Sequence, residues 1–595
     1  MTPTTGAIVL TGGRASRLGG LDKARLVVAG RPMLESVLGA ARAVADTVVT
    51  VGPGGDTREE PPHSGPVAGI AAGVAALGDE LDVDVVVIVA CDLPGLEAAT
   101  LRALVDAVRS SGSAAALGVD AAGNDQYLLA AWDRRALAAR LARLDDSGGP
   151  AGRPVRALYT PSDDDDEFIR VPVGHHAGDV DTWSDLAGHG PVALTHVGPV
   201  LAAGLDTVPA VEAAPLDAVG GVLAAPLDSA DPMPRGRVSA MDGYALAGPG
   251  PWELTGAARR AGDDSPAHLD PGRSAPIATG ALAPAGTDRV LRHELVEVSA
   301  GDTSSAPALV TALSAAEGVD DLRPAGEDWP AGHTLAPEGA TLDAALASTA
   351  LSAGLNRVAV RGPVRATVVT TGDEVLPADS PSPLPEGRIR DTVGPLLGAV
   401  LARAGFAPAA TPALSTSAVT HCPDTAEAFD ELLRQPRGAG EVLVLVGATG
   451  RGVADHLRPA LNRVGARIVL DGVRVRPGGS QLVAALPGGG ALLGLPGNPL
   501  AAVCAAATTG RALVDALTGR RRTPFLVATP DRAALAAPSR SRILPARPDG
   551  SGGCAISGRV RTAHLADLIG APTLALIPEG SDTGPGDLVE LVDWV

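Results

Sequence analysis

The stretch VLTGGRASRLGGLDKARLVVAGRPML, Val9 to Leu34, places Gly12, Gly13, Gly19 and Gly20 around Arg17 and ahead of Lys23. Backbone N–H groups freed of side-chain bulk can close around phosphate oxygens, and the arginine and lysine supply counter-charge. Neither familiar phosphate loop fits. The Walker spacing needs its lysine after a glycine, whereas Lys23 follows Asp22; the dinucleotide spacing separates its first two glycines, whereas Gly12 and Gly13 are adjacent. Further on, IVACDLPGL puts Asp92 just after a strongly apolar run. A lone carboxylate beside a bound triphosphate holds magnesium, a hard cation that prefers oxygen. The structural alternatives are a strand-to-helix turn for the glycines and a helix N-cap for Asp92.

A second set of chemical residues lies in the rear of the chain. RVSAMDGYAL carries Asp242 and TGALAPAGTDRVLRHE begins at Thr279; VVTTGDEV sets Asp373 and Glu374 just beyond an apolar run. VLVLVGATGRG ends in Gly447, Gly450 and Gly452, a weak phosphate-loop signal by itself. GLPGNPLAAV turns through Pro496, Gly497 and Asn498, then starts a helix at Pro499, and a helix N-terminus favours anions. The acidic run SDDDDEF, Ser162 to Phe168, reads as a solvated turn, and the neighbouring His175 and His176 lack ligand spacing.

Elements that position these residues follow from periodicity. GAIVL, TVVTV and VDVVVIVA read as buried parallel strands, with MLESVLGAARAVA and AATLRALVDAVRS as helices between them. That is a doubly wound sheet, whose ligands bind at the carboxyl ends of its strands. A β-rich, proline- and glycine-rich stretch follows, then a second α/β alternation built on RATVVTTGDE, EVLVLVGATG, ARIVL and ALLGLPGNP, and a short C-terminal β segment. The expected boundaries are 1–188, a linker at 189–198, then 199–361, 362–520 and 523–595.

Composition narrows the classes. A chain of 595 residues exceeds one core, and with 45% hydrophobic but 2% aromatic residues its cores are Ala, Val and Leu, as layered α/β packing prefers. The net charge of −20 argues against a nucleic-acid polymer or an anionic membrane as partner. Cys91, Cys422, Cys504 and Cys554 are far apart, against a disulfide framework or zinc site. Without a signal-like start or a membrane-length apolar run, the expectation is a reduced, cytoplasmic protein.

In order, the opening loop, GRPML, SGPVAGI, CDLP and DVDTWSDL resemble the nucleotidyltransferases, in particular the molybdenum cofactor guanylyltransferases of MobA type. The resemblance, over about Met1 to Leu186, implies GMP transfer from GTP to the molybdenum cofactor with release of pyrophosphate. It implies guanine and phosphate contacts at Leu10, Gly12, Gly13, Arg17 and Lys23, with Thr11 and Gly65 beside them. Magnesium falls to Asp92 and, as a second contact, Asp181. Thr11 departs from the family's alanine. A cytidylyltransferase of the same superfamily is the competing reading.

The rear motifs, from about Pro215 to Val595, resemble the molybdopterin molybdenumtransferases of MoeA type, related to the C-terminal part of gephyrin. That implies Mg-dependent insertion of molybdate into adenylylated molybdopterin with loss of AMP. It also implies a homodimer formed through this region with its site between protomers, and contact with a molybdopterin adenylyltransferase and apo-molybdoenzymes. Carried over, Asp242, Thr279, Glu374, Asp391 and Asp455 are the site residues, with Gly497 and Asn498 near the pterin or phosphate. Three departures stand out: GATGRGVAD, with Val453, for GGVSVGDYD; RPGGS, with Gly479, for KPGKP; and Val393 for an asparagine. Arg451 and Arg476 would then form the oxyanion clamp. The alternative is an active front transferase, using GTP or CTP, on a rear half kept as a binding and dimerisation scaffold.

Overall fold

A computed structural model describes the chain except residues 1–3, 13–15, 19–20, 29–30, 79–82, 147, 161–167, 175–177, 256, 300–306, 408–419, 451–455, 530–534, 538, 549–552, 559 and 585. The acidic run at 162–167, His175 and His176 lie outside the described residues. The chain divides into two compact units. One combines Met1–Asp206, Val364–Leu517 and Thr523–Val595; the other combines Thr207–Pro363 with Thr518–Arg522.

In the first unit, the front sheet runs Thr47–Val51, Thr4–Leu10, Val83–Ala90, Asp125–Asp133, Ala115–Asp120, Phe168–Gly174. Its first three strands are parallel and nearly all apolar, as strands covered on both faces must be. The doubly wound expectation holds for this half. Asp125–Asp133 runs antiparallel to both neighbours, so the whole sheet is mixed. The cause is a tight turn: Asp120 accepts from the Ala122 and Asn124 amides, and Gly123 takes φ +87°. Helices Met33–Arg42 and Ala98–Ser111 fill one face; Pro66–Leu77 and Trp132 fill the other.

A second sheet, in the order Thr420–Cys422, Arg365–Thr371, Glu441–Val446, Ala491–Leu495, Leu482–Ala485, Arg467–Asp471, repeats the pattern with parallel central strands. The helical run Pro499–Thr518 is 20 residues long with mean hydropathy 1.4 and is 83% buried, so it serves as a core helix. Its middle turn, Ala506–Gly510, is a π-helix.

The segment expected to be a linker is folded. Val192–Ala193 forms a strand and Val197–Gly204 a helix with Val197, Val200 and Leu201 buried. That strand pairs in parallel with Val473–Arg476, which pairs on its other side with Ser541–Pro548 of the C-terminal β region. One sheet therefore runs from the front domain's exit strand into the C-terminal segment.

The second unit is β-rich, as expected. Its largest sheet runs Arg289–Arg292, Gly243–Leu246, Arg273–Ile277, Trp252–Leu254, Leu309–Ala312, Val296–Ser299. Helix Ala344–Ser352 packs in a separate small core with Val358 and Val360. All four cysteines are buried and free.

Candidate functional sites

Strand Thr4–Leu10 delivers the glycine turn at its carboxyl end, and Val83–Ala90 delivers Asp92 at the neighbouring one. Between them lies a cavity of about 290 Å³ lined by Leu10, Gly12, Lys23, Gly65 and Asp92, with Glu59 and His63 on its rim. Lys23 begins a short 3₁₀ turn, Lys23–Arg25, capped by the Asp22 carboxylate on the Ala24 amide. Its ammonium reaches Asp92 at 2.9 Å and also bonds Asp181, with side-chain exposures of 13%, 21% and 43%. Burial works against the charge on Lys23, but the two carboxylates outweigh it and raise the lysine above its ordinary value.

Asp181 owes its place to a capping box, in which Thr182 accepts from the Asp185 amide and Asp185 accepts from the Asp181 and Thr182 amides. Asp179 adds a third carboxylate. Burial and then the charges of Asp181 and Asp92 push its carboxyl up. Asp92 and Asp181 thus converge on one point, which the ammonium occupies. Hard oxygens around a shared point fit magnesium, with substrate phosphates completing its shell. Among the described residues no three carboxylates, histidines or cysteines form a ready-made metal cluster.

The structure sorts the other front candidates. Gly12 and Gly65 line the cavity; Gly65, at φ +102°, opens the helix Pro66–Leu77. The Thr11 hydroxyl bonds the Val51 carbonyl at 3.0 Å, so the departure from alanine ties two strand ends together rather than facing phosphate. Arg17 is exposed and is not among the described residues lining the cavity. Gly13 lies outside the described residues. Sequence reasoning missed Glu59, His63 and Asp179. His63 has φ +63°, rare for a residue with a β-carbon, and its amide bonds Glu59 at 3.0 Å. A signal for Asp179 was present: it stands two residues from Asp181, an extended-chain spacing that shares a face.

In the rear part of the first unit, three parallel strands deliver adjacent turns: Gly372–Glu374, Gly447–Gly450 and Pro496–Asn498. The Gly447 amide bonds the Leu495 carbonyl at 2.9 Å, and a β-carbon on Gly497 would lie 3.8 Å from Gly447. Glu374 and Asp391 flank one short parallel pairing, Val375–Leu376 with Ile389–Arg390. Asp391 accepts the Val393 and Gly394 amides at 3.0 and 2.8 Å, which starts the helix Gly394–Ala404. Asn498 makes no side-chain cap, and the Leu500 amide bonds the Thr562 carbonyl at 3.2 Å.

Arg476 lines a cleft of about 930 Å³ together with Arg540, Arg542, Arg561 and His564. Four guanidinium groups gather there, with the Asp567 carboxylate also lining the cleft and accepting the Arg561 amide at 2.7 Å. The C-terminal arginines carried no motif and were missed in the sequence. The clamp partner Arg451 lies outside the described residues, as do Val453 and Asp455.

In the second unit, Asp242 and Thr279 meet. The carboxylate accepts the Thr279 amide at 2.7 Å and its hydroxyl at 3.0 Å, which holds the Asp242 carboxyl below its usual range. Gly243 is required beside it: a β-carbon there would press on the Leu291 carbonyl and lie 2.7 Å from the Arg292 Cα.

Known proteins resolve the family. The family model for a MobA-like NTP transferase domain matches residues 7–162, that for the MoeA N-terminal region (domain I and II) 193–354, and that for a probable molybdopterin binding domain 367–515. A molybdopterin molybdenumtransferase of Synechococcus elongatus is 30% identical over 368 residues, covering 59% of this chain and 86% of that one. The chain belongs to the molybdopterin molybdenumtransferase family. Its front domain is similar to a probable molybdenum cofactor guanylyltransferase of Nostoc, 38% identical over 107 residues, 16% of this chain and 49% of that protein. The fold of the family member is seen in the MoeA protein of Pyrococcus horikoshii, with 16% identity, a TM-score of 0.51, 68% of this chain covered and 100% of that one. The α/β multidomain expectation therefore stands, with a MobA-like NTP transferase domain preceding a molybdenumtransferase region.

Proposed function

We propose that the chain performs two steps of molybdenum cofactor synthesis: Mg-dependent molybdate insertion into adenylylated molybdopterin, and transfer of GMP from GTP to the resulting cofactor. The observation that carries the front half is the convergence of Asp92 and Asp181 on Lys23, with Lys23 and Asp92 lining the cavity at the strand ends. A terminal phosphate oxygen of the acceptor attacks the α-phosphorus in line; the bond to the β-phosphate oxygen breaks and pyrophosphate leaves. Asp92 and Asp181 would hold the magnesium, which neutralises phosphate charge when bound. Lys23, drawn from its carboxylates to the phosphates, stabilises charge developing at the α-phosphorus. Glu59 and His63, which line the same cavity, are the candidates to read the base edge.

In the rear half, the arginine cleft supports binding of anionic pterin phosphate and molybdate. It also bears on the scaffold alternative. Arg540, Arg542 and Arg561 add cations beside Arg476 in a chain that lacks the family's lysine at Gly479, which supports the reading of an active rear half. Dimerisation through this region, and exchange with a molybdopterin adenylyltransferase and apo-molybdoenzymes, complete the proposal.

Thermal unfolding with magnesium and each nucleotide tests the front assignment. A ligand at a hundred times its dissociation constant adds about 2.7 kcal/mol. GTP should protect, CTP should not, and Asp92→Asn should abolish protection. Equal protection by both nucleotides would contradict the guanine assignment.

A further inference from the structure

Arg474 lies in the strand Val473–Arg476, two residues from Arg476 of the rear cleft, yet it points its guanidinium at the front domain. Its Nη1 donates at 2.9 Å to the Val27 carbonyl and at 2.9 Å to the Pro191 carbonyl. Nε and Nη2 form a bidentate pair with Glu579 at 2.9 and 2.5 Å, and the two side chains are 10% and 19% exposed. Glu579 is itself pinned by its amide on the buried Ser541 hydroxyl at 3.1 Å. Three chain segments distant in sequence are thus fixed by one planar group, which is the geometry that arginine, unlike lysine, can satisfy in full.

Both front connections lead towards the ionic cluster. Val27 lies two residues past the turn Lys23–Arg25: between them the Leu26 amide bonds the Lys23 carbonyl at 3.2 Å, and Val27 opens the hairpin with Arg31–Pro32. On the other side, Trp183, two residues after Asp181, packs its ring 5.3 Å from that of His196. His196 is largely buried and leaves Nδ1 without a partner; burial, then the charge of Arg474, holds it towards its neutral form. The segments that present Lys23 and Asp181 therefore rest on the same junction.

We propose that Arg474, supplied by the molybdenumtransferase region, is a positioning residue for the front nucleotidyl transfer, holding the Lys23 segment through the Val27 carbonyl and bracing the Asp181 turn through the segment from Pro191 to His196 on which Trp183 packs. The front site is then completed by the rear of the chain. This rests on the transferase reading of the front cavity, and goes beyond it by making the fusion itself part of that site.

The test compares the full-length chain with Arg474→Ala and Arg474→Lys by two readouts. The first is amide hydrogen exchange across residues 22–28; the second is kcat and KM for GTP in pyrophosphate release with the molybdenum cofactor as acceptor. In Arg474→Ala, exchange at the Arg25 and Leu26 amides should rise roughly tenfold. Its kcat should fall roughly ten- to a hundredfold, as expected of a catalytic group misplaced by about an ångström. KM for GTP should stay within about threefold, because the glycine turn is untouched and Lys23 acts on charge that develops in the transition state. Arg474→Lys, which can keep one carbonyl bond, should fall between. Unchanged exchange in this segment overturns the inference, whatever the activity. So does a kcat within twofold of wild type, or a lysine variant no better than alanine. A wild-type chain that releases no pyrophosphate sinks the transferase reading instead, while the exchange result still judges the hold of Arg474 on the Lys23 segment. Should Arg474→Ala fail to fold, Glu579→Gln loosens the guanidinium while leaving its two carbonyl acceptors, and carries the same readouts in milder form.

Discussion

Arg292 shows how a site residue is held from behind. Its guanidinium and backbone amide bond Asp321, with Nε at 3.0 Å and N at 3.1 Å, and the adjoining His293 amide bonds the Asp242 carbonyl at 3.2 Å. The Arg292 hydrogen bonds hold the Asp321 carboxyl below its usual range, against the burial that would raise it. A depressed carboxylate stabilises the fold above its unfolded pKa near 3.8, and that contribution is lost as pH falls through the lower folded value. Asp321→Asn should therefore lower the unfolding midpoint at neutral pH, because the Arg292 guanidinium and amide lose their charged acceptor. The gap should close as the medium is acidified; a gap independent of pH would contradict this. Residues of this kind are illegible in sequence. The meeting of Lys23, Asp92 and Asp181 was legible because each sits in a short motif at or beyond a strand end whose residue types are distinctive. Glu59, Arg540, Arg542 and Arg561 were not, since nothing local distinguishes a cleft arginine from a solvated one.

Strands were legible where both faces are covered. Thr47–Val51 and Val83–Ala90 match the β-branched runs residue for residue, because short runs so rich in valine are buried as strands covered on both faces. The antiparallel strand Asp125–Asp133 was missed, since its direction is set by the turn at Asp120 and not by its own composition. The exit segment 189–198 shows the opposite case: its polar, glycine-containing composition suggested a tether, but Val192–Ala193 finds a partner in Val473–Arg476, far along the chain. At this scale Gly243 governs the register beside Asp242. Gly243→Ala should cost about 1–3 kcal/mol through overpacking on the Leu291–Arg292 backbone and displace the Asp242–Thr279 pair. AMP release from adenylylated molybdopterin should fall with it, while GTP protection of the front site stays at its wild-type level. A variant as stable and active as wild type would mean the strands can part without consequence.

Across the molecule, the order of modules was readable because each carries its own motifs, while the way they are tied together was not. The exit strand, the Arg476 strand and the C-terminal strands form one sheet, and Arg474 fastens the front hairpin to it. A chain so joined has a chemical reason to be one chain, since the product of molybdate insertion is the acceptor for GMP transfer. The most direct measurement gives one preparation of the full chain adenylylated molybdopterin, molybdate, magnesium and GTP, and follows AMP, pyrophosphate and the pterin product together. AMP release should depend on molybdate, pyrophosphate should follow in equal amount, and the pterin should end as the molybdenum-bearing guanine dinucleotide. Pyrophosphate released only when finished molybdenum cofactor is supplied, with no AMP formed from the adenylylated precursor, would contradict a two-step enzyme and leave a front transferase on a binding scaffold.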